Sequence, residues 1–371
     1  MAVGRISGRD EVLAGLNRTL IFLIIGLGLI GAAAQYSVAG ESFSPWAWKH
    51  LVRLAVGVML MIGIATISPR TFYAAAYPFY GICLVGLIGV ELFGELNMGA
   101  QRWLNLGFIR VQPSELMRIG LILALARYYQ SLNEERVSKP VFLIVPLLLI
   151  AVPAYLIYRQ PDLGTALLLA MIGFTMLFLT GVSVRYFLAA FIGLAVGFPF
   201  VWQALQPYQQ DRILVFFDPE RDPLGAGYHI IQSIIGIGSG GFTGKGFGEG
   251  TQNRLNFLPE KHTDFIFTMF AEELGFMGSL LILSLFSAIL FIVFMMARDM
   301  KSQFGRLSVL GLGASLFIYM FVNLAMVMGL APVVGVPLPF VSYGGTSLLT
   351  FAVTFGIILA LDRQSSVDVG R

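Results

Sequence analysis

Charge and cysteine are both scarce in this chain. Of its 371 residues, only 12% are Asp, Glu, Lys or Arg, about half the share in a typical soluble domain, and 57% are hydrophobic. This composition argues against a water-soluble fold, and a net charge of only +3 argues against nucleic acid as a partner. The single cysteine, Cys83, excludes a disulfide framework and a thiolate metal site.

Long apolar runs take the place of the missing charge. A bilayer core about 30 Å thick needs about 20 apolar residues per helix. Runs of that order predict an all-α, polytopic membrane protein with about ten transmembrane helices, at 19–38, 51–67, 72–92, 115–130, 141–158, 163–180, 186–203, 265–297, 307–329 and 340–361. The first run is too long for the core of a signal peptide, and further spans follow it, so we expect it to remain as a helix.

The distribution of Lys and Arg predicts the orientation. One set of short connections holds thirteen of these residues and the opposite set holds six. Both termini, 1–18 and 362–371, are therefore predicted to be cytoplasmic, and residues 204–263, between helices 7 and 8, to form a large extracytoplasmic loop. Aromatic and aliphatic residues occur throughout that loop, which indicates that it is ordered. The whole chain, 1–371, is predicted to form a single membrane domain.

Asp264 is the strongest candidate for chemistry. It lies in the run LPEKHTDF, where the long loop ends and an apolar helix begins. A helix N-terminus favours the ionised form of a carboxylate, and a carboxylate held there can act as a general base. The alternative is a helix-capping aspartate, which such positions favour in any case. The residues alone leave both interpretations open.

Two other outer segments combine charge with proline. QPSE at 112–115 begins helix 4, where Glu115 and Arg118 are three residues apart and can pair on one face just inside the membrane. RQPDLG at 159–164 precedes helix 6, where Asp162 could orient a basic group or cap the helix. The structural alternatives are an ion pair that only anchors a helix and a cap without further function.

Three more segments offer polar groups on the same side. QRWLNLG at 101–107 places Arg102 beside Trp103, which suits either a phosphate or an interfacial aromatic belt. The glycine-rich tract at 236–250 offers Lys245 for a phosphate, but it matches neither a dinucleotide fingerprint nor a P-loop, and a plain surface loop is the alternative.

Residues 330–347 hold three prolines among the first ten, which predicts a re-entrant or rigid turn that lines a cavity. Asn323, which precedes this turn, is predicted to pack helices.

The ionisable residues within the membrane therefore cluster toward one surface. A carrier usually places its polar site near the midplane, with access from both faces. An enzyme that acts on a lipid headgroup needs polar groups at one surface only. The asymmetry favours the enzyme.

These segments resemble the SEDS family of bacterial cell-wall proteins, named for shape, elongation, division and sporulation. The matching stretches are QRWLNLGFIRVQPSE at 101–115, RQPDLGTA at 159–166, LPEKHTDFIFTMFAEELG at 258–275 and GLAPVVGVPLPFVSYGGTS at 329–347. The VVGVPLP stretch and the short tails are more similar to the rod-shape branch of the family than to its division branch.

The resemblance implies a ten-helix fold that polymerises lipid II into glycan strands at the outer face of the cytoplasmic membrane during cell elongation. It also implies a class B penicillin-binding transpeptidase and other membrane proteins of the elongation complex as partners. The essential aspartate of the family maps onto Asp264. One departure is Arg118, at a position where relatives can carry Lys, which keeps the charge but changes the geometry.

Asp264 is accordingly predicted to be the catalytic base of a glycosyltransferase. The residues predicted to bind substrate or shape the cavity are Arg102, Trp103, Glu115, Arg118, Arg159, Asp162, Lys245, Lys261, His262 and Ser342. A divalent cation, Mg²⁺ or Mn²⁺, could assist the departing pyrophosphate, although the sequence contains no recognisable metal-ligand spacing. A lipid II flippase and a non-catalytic scaffold for cell-wall assembly are the alternative functions.

Overall fold

A computed structural model describes residues 15–365 apart from 98–99, 106, 108–109, 224, 256 and 259. Its α-helices, numbered α1 to α14, are Arg18–Val38, Ala47–Ala65, Pro69–Phe93, Pro113–Gln130, Glu134–Val137, Pro140–Arg159, Leu163–Leu179, Val184–Ala204, Pro207–Phe217, Ala226–Ser239, Thr251–Arg254, Ile266–Asp299, Gln303–Val327 and Gly345–Arg363. The predicted all-α class is confirmed. Proline occupies the first turn of α3, α4, α6 and α9, where the missing backbone N–H group has no intrahelical role.

Ten helices of 17 residues or more lie within the described residues, and each coincides with one predicted span to within five residues at either end. Eight of them are long and apolar enough to cross a membrane. The other two are α7, which has 17 residues, and α4, which carries Glu115, Arg118 and Arg127. Residues 1–14 and 366–371 lie outside the described residues, so the predicted cytoplasmic tails, with Arg5, Arg9 and Arg371, stay a prediction.

The core is centred on α4, α13 and α14, which are buried along most of their length. The helix α14 packs closely against α2, and α4 packs against both α3 and α13. By contrast, none of the described residues of α8 is buried. The helices that surround the core bury only one stripe and expose large apolar side chains on the rest, as expected for surfaces that face lipid.

A small antiparallel sheet lies between α3 and α4, where no strand was predicted. Its strands β1, β2 and β3 are Glu95–Asn97, Ala100–Asn105 and Arg110–Val111, in that order. Trp103 of β2 is paired in register with Glu95, and Leu104 with Val111. Strands of two to six residues are too short to show a clear alternating pattern, which explains why the sequence did not reveal them.

The long loop is ordered, as predicted, and forms structure of its own. The helices α9, α10 and α11 and a 3₁₀ turn at Pro219–Arg221 lie within it. Val215 and Ile230 are buried, whereas Phe217 and Phe242 are exposed. The glycine-rich tract begins in the last turn of α10 and then runs beside α12, where Lys245 N and Gly246 N donate hydrogen bonds to the backbone carbonyls of Glu272 and Glu273.

The eighth predicted run exceeded the length that a bilayer needs, and a break at Gly275 explains the excess. Gly275 has φ 63° and ψ −155°, so it divides α12 into a short outer piece and a longer inner piece. A Cβ atom at Gly275 would collide with the backbone N of Gly244, so the glycine-rich tract and the break fit together. Glu272 and Glu273, on the outer piece, are buried.

Candidate functional site

A cavity of about 240 Å³ opens at the predicted outer ends of the helices. It is lined by residues from β2, the ends of α4, α7, α12 and α13, and the segment before α14. The lining residues are Arg102, Trp103, Gln112, Glu115, Asp162, Thr165, Leu168, Thr263, Asp264, Tyr319, Gly335, Val336, Pro337, Tyr343, Gly344, Gly345, Thr346 and Ser347. Of the predicted site residues, Asp264, Arg102, Trp103, Glu115 and Asp162 therefore share one cavity.

Asp264 reaches this cavity from the last residues of the long loop. The N-cap of α12 is Phe265, and no side chain caps the helix, so the alternative of a capping aspartate is wrong. Burial and the neighbouring Glu260 carboxylate raise the pKa of Asp264 to about 6, while Arg102 and Arg212 act in the opposite direction. The expectation that the helix N-terminus would favour the ionised form is thus outweighed by desolvation.

The carboxylate of Asp264 accepts no hydrogen bond from any described residue, whereas its backbone is firmly held. The side-chain amide of Asn323 donates to the Asp264 carbonyl at 3.0 Å and to the Val336 carbonyl at 2.6 Å. A carboxylate with a raised pKa, a fixed backbone and no partner can accept a proton from a bound molecule.

Arg102 and Asp162 form an ion pair on the cavity wall. Arg102 Nε lies 3.1 Å from Asp162 Oδ2, and Arg102 Nη2 donates to the Pro161 carbonyl at 3.3 Å. Asp162 also caps α7, because it accepts hydrogen bonds from the backbone N and the hydroxyl of Thr165, at 3.2 and 2.9 Å. Asp162 therefore makes the contacts of both alternatives, an ion pair with a basic group and a helix cap.

Glu115 lines the cavity, and its partner Arg118 is buried behind the lining. Their closest approach is 3.5 Å, which confirms the pairing predicted from their spacing. Tyr319 donates its hydroxyl hydrogen to Glu115 at 3.1 Å, and Arg118 Nη1 donates to Ser315 at 2.9 Å. The guanidinium of Arg118 also lies 4.0 Å from the ring centre of Phe351. This planar contact suits Arg better than Lys, which has no flat face to stack.

The proline-rich segment before α14 forms one wall, as predicted. Residues 330–344 form no helix, and several of their polar groups have fixed hydrogen-bond partners. Ser342 Oγ accepts from Leu338 N at 2.7 Å, and Tyr343 N donates to the His262 carbonyl at 2.9 Å. A Cβ atom at Gly335 would lie 3.6 Å from Asp264 Oδ2, so this segment passes directly beside the candidate base.

Six predicted cavity residues lie outside the lining, and one of them is Arg118, the partner of Glu115. Arg159 pairs with Glu91 at 2.9 Å, and Lys245 pairs with the buried Glu272 at 2.6 Å. These contacts support the plain structural interpretation of the glycine-rich tract, because Lys245 is committed to holding it in place.

The other three predicted residues also lie outside this lining. Lys261 Nζ donates to the carbonyl and to the side-chain oxygen of Asn253, at 3.0 and 2.7 Å. His262 stacks on Trp46 with ring centres 4.6 Å apart, and Ser342 is buried within the proline-rich segment. Their sequence neighbours Thr263, Asp264 and Tyr343 line the cavity instead.

The sequence did not reveal several cavity residues, among them Tyr319, Thr165 and Ser347. They carry common polar groups within apolar helices, and only the packing of distant helices brings them together. Asn323 was assigned to helix packing, and its contact with Asp264 was not foreseen. Within the described residues there is no cluster of three or more His, Cys, Asp or Glu that could hold a metal ion.

The chain is similar in sequence to a known protein family. Residues 15–367 match the cell cycle protein family of FtsW, RodA and SpoVE. Peptidoglycan glycosyltransferase MrdB of Escherichia coli K12 is 43% identical over 349 residues, which is 93% of each chain.

Solved structures show the same likeness over nearly the whole chain. One chain of a structure described as the structural coordination of polymerization and crosslinking by a peptidoglycan synthase complex is similar with a TM-score of 0.84 and 32% identity, covering 95% of this chain and 99% of that one. The rod shape determining protein RodA of Thermus thermophilus is similar with a TM-score of 0.72 and 28% identity, covering 95% and 98%.

Proposed function

Because the chain belongs to the FtsW, RodA and SpoVE family of cell cycle proteins, we propose that Asp264 is the general base of a glycosyl transfer in the outer cavity. The protein is a peptidoglycan glycosyltransferase of the cell-elongation type and a multi-pass protein of the bacterial inner membrane. We also propose the identity of the substrate and of the partner.

The proposed substrate is lipid II, a disaccharide linked through pyrophosphate to an undecaprenyl chain. A cavity that opens at one membrane surface can receive the headgroup while the prenyl chain stays in the bilayer. One molecule serves as acceptor through a sugar hydroxyl, and the other serves as donor through its anomeric carbon. The polar residues of the site lie toward one membrane surface, which supports this arrangement. Glycosyl transfer at that surface needs no polar path to the opposite surface.

In the reaction step, the acceptor oxygen forms a bond to the donor anomeric carbon. The bond from that carbon to the phosphate oxygen breaks, and its electron pair leaves with undecaprenyl pyrophosphate. Asp264 takes the proton of the acceptor hydroxyl, which typically contributes about 10² to 10⁴ in rate. A pKa of about 6 leaves the carboxylate mostly ionised at neutral pH but basic enough to accept that proton.

The observation that carries this assignment is the unpartnered Asp264 carboxylate. The other two carboxylates that line the cavity are already engaged, Asp162 by Arg102 and Thr165, and Glu115 by Tyr319 and Arg118. Only Asp264, among the described lining residues, presents a carboxylate without a hydrogen bond or an ion pair.

The proposal also includes a divalent cation, Mg²⁺ or Mn²⁺, that accompanies the pyrophosphate. Mg²⁺ is commonly bound by one or two carboxylates together with substrate phosphates. Since Asp162 and Glu115 are engaged and Asp264 serves as the base, phosphate oxygens and water would supply the ligands. When bound, the ion would neutralise charge on the leaving group. Chelation with EDTA should then lower polymerisation, and added Mg²⁺ or Mn²⁺ should restore it.

The proposed partner is a class B penicillin-binding transpeptidase, together with other membrane proteins of the elongation complex. Support comes from the similar chain in a complex that coordinates polymerization with crosslinking. Copurification of the two membrane proteins tests this part, and a stable stoichiometric complex is expected.

The decisive experiment is polymerisation of lipid II by purified protein in detergent. The Asp264→Asn variant should form no glycan while it stays folded and bound to its partner. Asp211→Asn, an exposed aspartate in the same loop, is the matched control and should polymerise normally. Full activity of the Asp264→Asn variant would show that Asp264 is not the general base. A flippase would form no polymer in detergent at all, because transport needs two compartments.

A further inference from the structure

The N-terminus of α14 opens into the cavity. Gly344 is its N-cap and provides no side-chain hydrogen bond to the helix. The first backbone N–H groups of a helix have no intrahelical acceptor, and Gly345, Thr346 and Ser347, which carry them here, all line the cavity. The helix is 19 residues long, so its dipole adds positive potential at this end. Such an end attracts anions.

Ser347 provides a second and independent indication of a ligand. The residue is only 6% exposed, it lines the cavity, and its hydroxyl has no hydrogen-bond partner among the described residues. A buried hydroxyl without a partner is costly, and in a cavity wall it is best explained by a ligand that completes it.

Arg53, on α2, brings a positive charge to the same place. Its guanidinium carbon lies 4.4 Å from the ring centre of Tyr343 and would lie 3.2 Å from a Cβ atom at Gly345. Its Nη1 atom is buried and has no hydrogen-bond partner, and no described carboxylate forms an ion pair with it. Arg102 and Arg118, by comparison, are each paired with a carboxylate.

We propose that Arg53, the hydroxyl of Ser347 and the first N–H groups of α14 form a subsite for the pyrophosphate of the lipid-linked substrate. This subsite rests on the proposed glycosyl transfer, since the pyrophosphate leaves from the donor. Gly335 adjoins Asp264, and Pro337 adjoins Gly344, so the segment 335–344 links the base to the subsite within one cavity. The guanidinium, the hydroxyl and the amides all donate hydrogen bonds, and the charge that builds on the leaving group needs such donors.

Binding of farnesyl pyrophosphate to the purified full-length protein, measured by calorimetry in detergent, tests the subsite without requiring turnover. Arg53→Gln should weaken binding by about tenfold to a hundredfold, because a charge-assisted hydrogen bond is lost. Arg53→Lys should recover part of the affinity, and Ser347→Ala should weaken binding by about tenfold or less. Lys49→Gln removes the same charge from an exposed position on the same helix and should have little effect.

Two comparison ligands identify the source of the anion. Farnesol should bind much more weakly than farnesyl pyrophosphate, and short-chain phosphatidylglycerol should not compete. Equal binding of farnesol, equal competition by the phospholipid, or an unchanged affinity in Arg53→Gln would each overturn the subsite. Asp264→Asn should bind farnesyl pyrophosphate as tightly as the parent protein. Failure of the base assignment would appear only in polymerisation, whereas failure of the subsite would appear only in binding.

Discussion

Asn323 donates a hydrogen bond of 3.0 Å from its side-chain amide to the backbone carbonyl of Asp264. The two residues are 59 positions apart, and Asn323 is fully buried in α13. The same amide donates to the Val336 carbonyl at 2.6 Å, so one side chain fixes both the backbone of the candidate base and the proline-rich segment beside it. Asn323 is therefore a positioning residue for Asp264.

Replacing Asn323 should impair catalysis without removing any group that touches substrate. Asn323→Ala leaves the buried Val336 carbonyl and the part-buried Asp264 carbonyl without this donor, and the buried one alone should cost about 1–3 kcal/mol of stability. We expect kcat to fall by about tenfold or more, because a base displaced by a fraction of an ångström loses its alignment. KM should change less than kcat.

Ser308→Ala is the matched control for Asn323→Ala. Ser308 is a buried polar residue of the same helix, and its hydroxyl has no described partner. Thermal unfolding and steady-state polymerisation, measured on both variants, separate positioning from general destabilisation. An Asn323→Ala variant that keeps the parent kcat at a lower temperature, where it is fully folded, would show that Asn323 does not position Asp264.

The pH dependence of polymerisation should report Asp264. Its pKa of about 6 predicts that kcat/KM falls on the acid side with a midpoint near pH 6, because the base becomes protonated. Glu260 raises this pKa, so Glu260→Gln should move the acid limb to lower pH. Arg102 lowers it, so Arg102→Gln should move the limb to higher pH. Shifts in the same direction for both variants would contradict this electrostatic account.

The raised pKa also predicts the effect of Asp264 on stability. An unfolded aspartate titrates near 3.9, so between about pH 4 and pH 6 the folded state holds a proton that the unfolded state has released. The protein therefore loses stability as pH rises through this range, and above about pH 6 the full cost of the buried charge is present. Asp264→Asn removes that charge and should unfold at the same or a higher temperature than the parent at pH 7.5. A lower unfolding temperature would mean that the carboxylate stabilises the fold.

The sequence predicted features that depend on local spacing. The ten long helices follow from runs of about 20 apolar residues, and the Glu115–Arg118 pair follows from a spacing of three on one helix. Asp162 could be placed at a helix start because proline and glycine stand beside it, although the sequence left a helix cap and an ion pair as alternatives. The prolines before α14 indicated a cavity wall because such a segment cannot be regular helix.

Contacts between distant helices could not be predicted in the same way. Asn323 and Asp264, or Arg53 and Tyr343, meet only because of how the helices pack, and no periodicity encodes such a meeting. Lys245 was a candidate for phosphate because it stands among glycines, but a buried glutamate 27 residues later binds it instead. Charge near a predicted surface identifies candidates, and the packing decides which of them face the cavity.

The buried pair of Glu115 and Arg118 should show strong energetic coupling. Arg118→Met leaves the Glu115 carboxylate without its cation and should cost about 3–5 kcal/mol, because an uncompensated charge stays buried. Glu115→Gln should also destabilise, but the double variant should lose less than the sum of the two single losses, by about 1–3 kcal/mol. Denaturant unfolding of the four proteins measures this coupling. Additive losses would show that the two side chains do not interact.

Asp162 both caps α7 and pairs with Arg102, so variants of Asp162 should distinguish a structural role from a functional one. Asp162→Asn keeps an oxygen that can accept from Thr165 but loses the charge that pairs with Arg102. Asp162→Ala loses both contacts, so it should be about 1 kcal/mol less stable than the Asn variant. Polymerisation should fall to a similar level in the two variants, since both release Arg102.

Ser302→Ala is the control for Asp162, because Ser302 caps α13 at the opposite, predicted cytoplasmic end. It should lose stability through the missing cap but retain polymerisation. Unfolding temperatures and initial rates on all three variants give the comparison. Full activity in Asp162→Asn would mean that the ion pair with Arg102 only supports the cavity wall. An inactive Ser302→Ala variant would mean that the loss of a helix cap is enough to explain the effect of Asp162→Ala.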